Sequence, residues 1–388
     1  MSRISDKASG EPRPNLFQFA TSELSQDAFL CWILIWLNKP GTPLSIAANK
    51  LVSKILAKTA HFEKSSEIIG VDIRRQFCRA DVTAVLKISS GANICLVIED
   101  KIFAHETGEN QVLRNLANVQ MRASEWEPLL DVPDNNFIGV LFRTGFDFDV
   151  PRSTSFVTIN YADVRKWIDE CEDQKINNEI FCDWAEWFGH GYLEIDTCIS
   201  QLNTDIENIA RGNVGFDLDP VNYDSRWKDP LFQYLFLKRA FGIHSSDILE
   251  VNENGGFRNI YLRSHYDSGR KEYLLQGTSS GRPWIQYHFD AQHDQWFYRL
   301  DWQAGAWGLS LRFYKENKTN EDLNYMASVA SSLEVMLKKR EIFTSGFRRA
   351  DRKTESTALL IRLAESRGLL NLKDAHAEFV RVFDAPSL

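Results

Sequence analysis

The stretch from Asp81 to Lys101 limits the fold of this 388-residue chain more than any other. It reads as two apolar, β-branched runs, 81–88 and 93–101, about a short Ser89-Ser90-Gly91 turn, which is the pattern of an antiparallel hairpin. Pairing Ile88 with Ala92 across the turn puts Asp81 directly opposite Glu99. Cross-strand partners share a face with Cβ atoms roughly 5 Å apart. Lys101, two residues past Glu99, points to the same side. A slip of one residue would send one of these side chains to the other face. The hairpin therefore predicts two carboxylates and one ammonium on one side of a sheet.

Two carboxylates at that separation repel each other unless a cation lies between them, and hard oxygen ligands suit magnesium or manganese. A cation so held polarises a phosphoryl oxygen and lowers the pKa of a bound water. A neighbouring lysine orients that water and stabilises charge on the phosphate. The same residue types also form ordinary solvated ion pairs that contribute little to stability. Two details favour a site. Leu96-Val97-Ile98 runs straight into Glu99-Asp100-Lys101, as in a buried strand that ends at a site, and the following helix carries Asn110, Gln111 and Arg114.

Apolar periodicity predicts helices over 22–37 and 45–61 before the hairpin, with a strand over 68–77. After it come a helix over 109–127, strands over 137–143 and 155–159, and helices over 161–171, 177–189 and 195–210. Residues 1–15 read as a flexible leader, 16–210 as one domain, and the Gly- and Pro-containing segment 211–224 as a linker. Residues 225–388 form a second α+β domain. It has a helix over 227–241, an antiparallel aromatic meander (256–263, 272–276, 283–289, 295–302, 306–314) and a helix over 320–339. The last segment, 354–388, is a helix or strand followed by a helix.

Four motifs stand in order along the first domain. They are Glu23-Leu24-Ser25-Gln26-Asp27-Ala28-Phe29-Leu30-Cys31-Trp32-Ile33-Leu34, Arg79-Ala80-Asp81, Ile98-Glu99-Asp100-Lys101-Ile102, and Asn110-Gln111-Val112-Leu113. Over roughly residues 15–160 this order resembles the PD-(D/E)XK nuclease superfamily, with the flavour of a poorly characterised bacterial branch. The resemblance implies a restriction-endonuclease-like α/β fold, a mixed sheet flanked by helices with the site at one edge. It implies magnesium-dependent hydrolysis of phosphodiester bonds in DNA. Asp81 and Glu99 would bind the metal, Lys101 would be the catalytic lysine, and Gln111 would contact the phosphate or support the site. Glu23 would add an accessory carboxylate from the first helix. Ala80 stands where the family's name has proline and Asp100 where asparagine is expected, and the helix continues Leu113-Arg114-Asn115-Leu116 without the tyrosine often found a turn after the glutamine. That last departure removes part of the equipment for binding DNA ends. Such proteins tend to belong to restriction and antiviral defence in bacterial or phage conflict.

A net charge of −8, all of it in residues 1–200, argues against a non-specific polyanion binder but is compatible with carboxylates that hold metal. The most apolar stretch, 29–37, is nine residues long, too short to cross a bilayer, and the first 15 residues lack the apolar core of a signal peptide. Six cysteines without a CxxC pair read as reduced thiols of a cytoplasmic protein. No GxxxxGK[ST] or GxGxxG motif is present. The expected partner is nucleic acid, DNA first with RNA open, and a homodimer is one assembly the chain allows.

The second domain offers weaker signals. Arg348, Arg349, Arg352 and Lys353 extend a basic run from Lys338, Lys339 and Arg340 that either tracks a nucleic-acid backbone or decorates a helix end. Arg114 is a further candidate contact. Trp284, Tyr287, Trp296, Tyr298, Trp302, Trp307 and Tyr314 can stack bases, although alternation makes about half of them core. His288 and His293, with Asp290 and Asp294, read as a solvated turn in preference to a zinc site. Two rivals to a nuclease follow: a catalytically silent nuclease-fold binding module, and a regulatory protein that senses a ligand through its second domain.

Overall fold

The computed structural model describes residues 15–18, 22–59, 67–89, 91–102, 111–145, 155–172, 174–211, 228–254, 257–263, 271–279, 282–289, 295–303, 306–345, 355–363, 366, 368–369 and 372–383. It is a mixed α+β chain that divides into two units, one reaching Ile195 and the other starting at Asp196. The expected linker, beyond Arg211, lies outside the described residues, as do Arg348, Arg349, Arg352 and Lys353.

The first unit contains helices α1 (Ser22–Ile35) and α2 (Pro43–Leu56), then strands β1 (Ile68–Arg75), β2 (Val82–Ile88) and β3 (Ile94–Lys101). Helix α3 (Gln111–Met121), strands β4 (Phe137–Arg143) and β5 (Val157–Ile159), and helix α4 (Tyr161–Glu172) follow, and α5 (Glu179–Ala210) leads on. Helix α2 starts two residues earlier than the periodicity suggests. The Thr42 hydroxyl caps it by accepting the Ser45 N–H at 3.1 Å, and Pro43 has its φ preset for the first helical position. The strands form one mixed sheet in the order β1-β2-β3-β4-β5. The pairs β1–β2 and β2–β3 are antiparallel, whereas β3–β4 and β4–β5 are parallel. Gly91, at φ 94°, turns the β2–β3 hairpin, and its N–H closes onto the Ile88 carbonyl at 2.9 Å.

Both faces of this sheet are covered, which explains why β3 is apolar on both sides. Val82, Ala84, Leu86, Leu96, Ile98, Val140 and Phe142 share one core with α1, α2, α4 and the start of α5. Val85, Cys95 and Val97, on the other face, pack against Val119 of α3 and against Phe77. The resemblance put the site at a sheet edge. The strand that carries Glu99 and Lys101 is instead the middle one of five, and like its neighbours β2 and β4 it is largely buried on both faces.

A second correction concerns α5, expected as two helices and found as one of 32 residues. Gly189 and Gly191 weaken helix propensity. An aromatic ladder at i, i+4 spacing carries the helix through them: Trp184 stacks on Phe188 at 5.6 Å, and Phe188 meets Tyr192 at 6.2 Å. Trp184 also stacks on Phe29 of α1 at 4.0 Å.

The second unit holds α6 (Lys228–Ala240), β6 (Ile248–Asn254), β7 (Phe257–Arg263), β8 (Lys271–Ser279), β9 (Arg282–His288), β10 (Trp296–Gln303) and β11 (Ala306–Tyr314). Helix α7 (Asn320–Lys338), strands β12 (Thr344–Ser345) and β13 (Glu355–Arg362), and helix α8 (Leu372–Phe383) complete it. Its eight strands form an antiparallel sheet in the order β12-β13-β11-β10-β9-β8-β7-β6. Strand β6 escapes sequence reading because Glu250, Asn252 and Asn254 depress strand propensity, and only its pairing with β7 forms it.

Tyr287, Trp296 and Tyr298 are fully buried, so these aromatics build core rather than a stacking surface. His288 is not in a solvated turn. It is buried at the end of β9, stacked between Tyr273 at 4.4 Å and Phe297 at 4.9 Å, while Asp290, His293 and Asp294 lie outside the described residues. Across β10, β11 and β13, Arg299 and Arg312 are matched by Asp301 and Glu355, with Arg312 Nη2 2.6 Å from Asp301 Oδ2 and Arg299 Nη2 3.0 Å from Glu355 Oε1. Among the described residues no helix is long and apolar enough to cross a membrane, and none of the six cysteines forms a disulfide.

The aromatic cluster at Trp184 gives a direct test. Trp184→Ala should destabilise the first unit by about 3–5 kcal/mol, the usual cost of a large buried cavity. A urea titration followed by far-UV circular dichroism should show the midpoint fall without a change in native helix content.

Candidate active site

The observed register of the hairpin pairs Val82 with Ile98 and Leu86 with Ile94, the register inferred from the turn. Asp81, one residue before β2, therefore stands opposite Glu99. Its Oδ2 accepts the Asp100 N–H at 2.8 Å, which ties the start of one strand to the end of the next. Asp81 leaves an unusual loop. Gln76, Cys78 and Arg79 have φ of 54°, 54° and 73°, left-handed values that cost energy for residues with a Cβ. The Gln76 N–H closes this loop onto the Asp81 carbonyl at 3.0 Å.

Glu99 is 1% exposed and surrounded by donors. Lys101 Nζ lies 2.8 Å from its Oε1, and the Gln111 side-chain amide donates to the same oxygen. The Asn115 amide donates to Oε2 at 2.9 Å. Gln111 and Asn115 are one turn apart on α3, so both face the sheet from the same side of the helix. Burial pushes the Glu99 carboxyl above its ordinary range; the Lys101 hydrogen bond opposes this, the Asp81 charge adds to the rise, and Asn115 pulls it back.

Hydrogen-bonding capacity decides whether a cation fits. Glu99 Oε1 already accepts twice and Oε2 once, while Asp81 Oδ2 accepts once. Among the described residues one lone pair on Glu99 Oε2 and the whole of Asp81 Oδ1 remain, two hard oxygens on one face. These residues fit one magnesium or manganese ion, with its other ligands from water and substrate. Among the described residues no group of three or more His, Cys, Asp or Glu side chains gathers for a metal.

Four of the sequence candidates thus meet: Asp81, Glu99, Lys101 and Gln111. Glu23 lies on α1, but its side chain is outside the described residues. Arg114 is exposed on α3. Of the basic run, Lys338 pairs with Glu334 at 2.9 Å and Arg340 pairs with Glu378, a structural use of both. Asp100 points to the opposite face, where the Gln26 amide donates to it and Thr144 Oγ1 donates to Gln26 Oε1 at 2.6 Å.

Three neighbours were missed from the sequence: Asn115, Gln26 and Arg143. Arg143 pairs with Lys101 in the parallel β3–β4 register and is buried beside it. Its signal was a second apolar strand ending in a cation, and that of Asn115 was its spacing from Gln111. No family model, curated protein or solved structure matches the chain.

The raised Glu99 carboxyl makes a stability prediction. The folded state holds this proton more tightly than the unfolded chain does, so its contribution is complete below the ordinary carboxylate range. It is lost as pH rises through the raised value. In metal-free buffer, stability should fall across that window in the native protein and stay flatter in Glu99→Gln. Urea midpoints measured against pH for both proteins should show the difference; parallel curves would contradict it.

Proposed function

We propose that the chain is a metal-dependent nuclease that hydrolyses phosphodiester bonds, DNA being the first substrate class. The observation that carries this reading is the placement of Asp81, Glu99 and Lys101 on one face at the carboxyl end of a buried central strand, with Lys101 Nζ 2.8 Å from Glu99 Oε1. Ligand sites in sheets with parallel strands lie at such carboxyl ends. The motif order that resembles PD-(D/E)XK nucleases supports the same reading, together with a restriction-endonuclease-like fold for the first unit.

Magnesium or manganese would be held by Asp81 and Glu99. When bound, it supplies charge to a phosphoryl oxygen and acidity to a coordinated water. The chain's own residues do the rest. Lys101 gives Glu99 a counter-charge within the sheet and offers N–H donors to an attacking water or a phosphate oxygen. Gln111 fixes Glu99 Oε1, so that the carboxylate keeps one orientation. Arg143, beside Lys101, adds positive charge where a phosphate would lie. The cytoplasmic setting rests on the reduced cysteines, and a role in restriction or antiviral defence on the resemblance alone.

One observation favours a silent binding module as the second reading: the Lys101–Glu99 ion pair balances the buried carboxylate without any metal. Cleavage assays separate the two. Plasmid, linear duplex, single-stranded DNA and RNA would be incubated with magnesium, manganese or EDTA. The nuclease reading expects metal-dependent cutting, abolished by EDTA and reduced at least about 100-fold by Lys101→Ala or Asp81→Ala. Binding of nucleic acid without cutting, unchanged in Lys101→Ala, would favour the silent module.

A further inference from the structure

Asn115 touches both segments that carry the acidic residues. Its side-chain nitrogen donates to Glu99 Oε2 at 2.9 Å and to the Arg79 carbonyl at 3.2 Å. Arg79 is the last left-handed residue of the loop and stands two positions before Asp81. The side chain is 1% exposed, so neither bond is shared with bulk water.

The orientation of this amide is settled by its neighbours. Both are oxygen acceptors, and a flipped amide would set Oδ1 against two oxygens. With the nitrogen so engaged, Oδ1 is a buried acceptor that receives no hydrogen bond among the described residues. Buried acceptors are rarely left in this condition, and one at a candidate cation site calls for a donor that arrives with the ligand.

Resting on the metal-dependent reading above, we propose that Asn115 is the positioning residue of the cation site. Its nitrogen sets the spacing between the Asp81 loop and Glu99, and its Oδ1 accepts a hydrogen bond from water that enters with the divalent cation. The left-handed conformation at Gln76, Cys78 and Arg79 does not persist by local preference, because none of the three is glycine or asparagine. A tether from α3 to the Arg79 carbonyl opposes its relaxation. Lys101 and Gln111 both engage Glu99 Oε1, so the orientation of Oε2, the oxygen left for the cation, depends on Asn115.

The test uses the full chain and manganese alone, without nucleic acid. Calorimetric titration of native protein, Asn115→Ala and Asp81→Ala should show binding in the native protein and none in Asp81→Ala. Asn115→Ala should bind about 10–100-fold more weakly, the range for loss of a group that orients a metal ligand. If cleavage is measured beside it, Asn115→Ala should need correspondingly more manganese for half-maximal rate and recover most of the rate at saturation. A change in overall folding alone would not produce that split.

A measurement on native protein covers the case in which the variant does not fold. Titration with magnesium should shift the side-chain amide NMR signals of Asn115. Equal manganese affinity in native protein and Asn115→Ala, or unmoved Asn115 signals while magnesium binds, overturns the positioning role and leaves the metal reading intact. Absence of any cation binding by the native protein overturns both.

Discussion

Removing the Glu99 carboxylate from water is costly, and the structure around it is arranged to offset that cost. An isolated buried carboxylate is among the least favourable groups a fold can contain unless it is paired and hydrogen-bonded. Here Lys101 supplies the charge, Gln111 and Asn115 supply N–H donors, and the two amides come from one face of α3. That requirement places α3 against the carboxyl end of β3 and makes its inward face polar at the start and apolar at Val119. Asp81 works against the arrangement, since it adds a second negative charge on the same face. Holding a like-charged pair in this way costs stability that a plain salt bridge would avoid, and a bound cation would offset that cost.

The two faces of the central strand divide the labour. Glu99, Lys101 and Arg143 lie on the α3 side, where the core is small. Asp100 and Thr144 turn to the α1 side, where Gln26 hydrogen-bonds to both above a much larger aromatic core that includes Phe29, Trp167 and Trp184. Rigid packing on one face supports polar chemistry on the other. Side chains placed on such a sheet keep their geometry better than side chains on loops. Only Asp81 comes from a loop, and that loop is tied at the Gln76 amide, at the Asp81 carboxylate and at the Arg79 carbonyl.

The second unit follows a different economy. One face of its antiparallel sheet contributes Tyr287, Tyr298, Leu309 and Leu311 to a core with Phe241 and Phe379. The other bears the stacked row Tyr273, His288 and Phe297 beside the matched charges of Arg299, Arg312, Asp301 and Glu355. Because those arginines are answered by carboxylates within the sheet, they make little net field for a polyanion. This tempers any assignment of nucleic-acid contacts to the meander from its aromatic content alone.

The sequence by itself determined the hairpin, its register and therefore the meeting of Asp81, Glu99 and Lys101. Turn chemistry acts over a few residues, so it can be read without knowing what packs nearby. The sequence also showed the alternation of apolar strands and helices in the first unit and most of the meander in the second. Tertiary structure alone decided the rest. Aromatic contacts with other helices, Trp184 on Phe29 and Tyr192 on Tyr161, joined the ladder within α5 to make it one helix through two glycines. The burial of His288 depended on neighbours in β8 and β10, strands whose pairing no local pattern specifies at that residue. Three left-handed residues in Gln-Phe-Cys-Arg, and the amide of Asn115 that holds them, arise where a helix 36 positions further on meets the loop. Short-range patterns set which side chains share a strand face. Contacts between distant segments set which of those side chains are dry, and hence which of them can do chemistry.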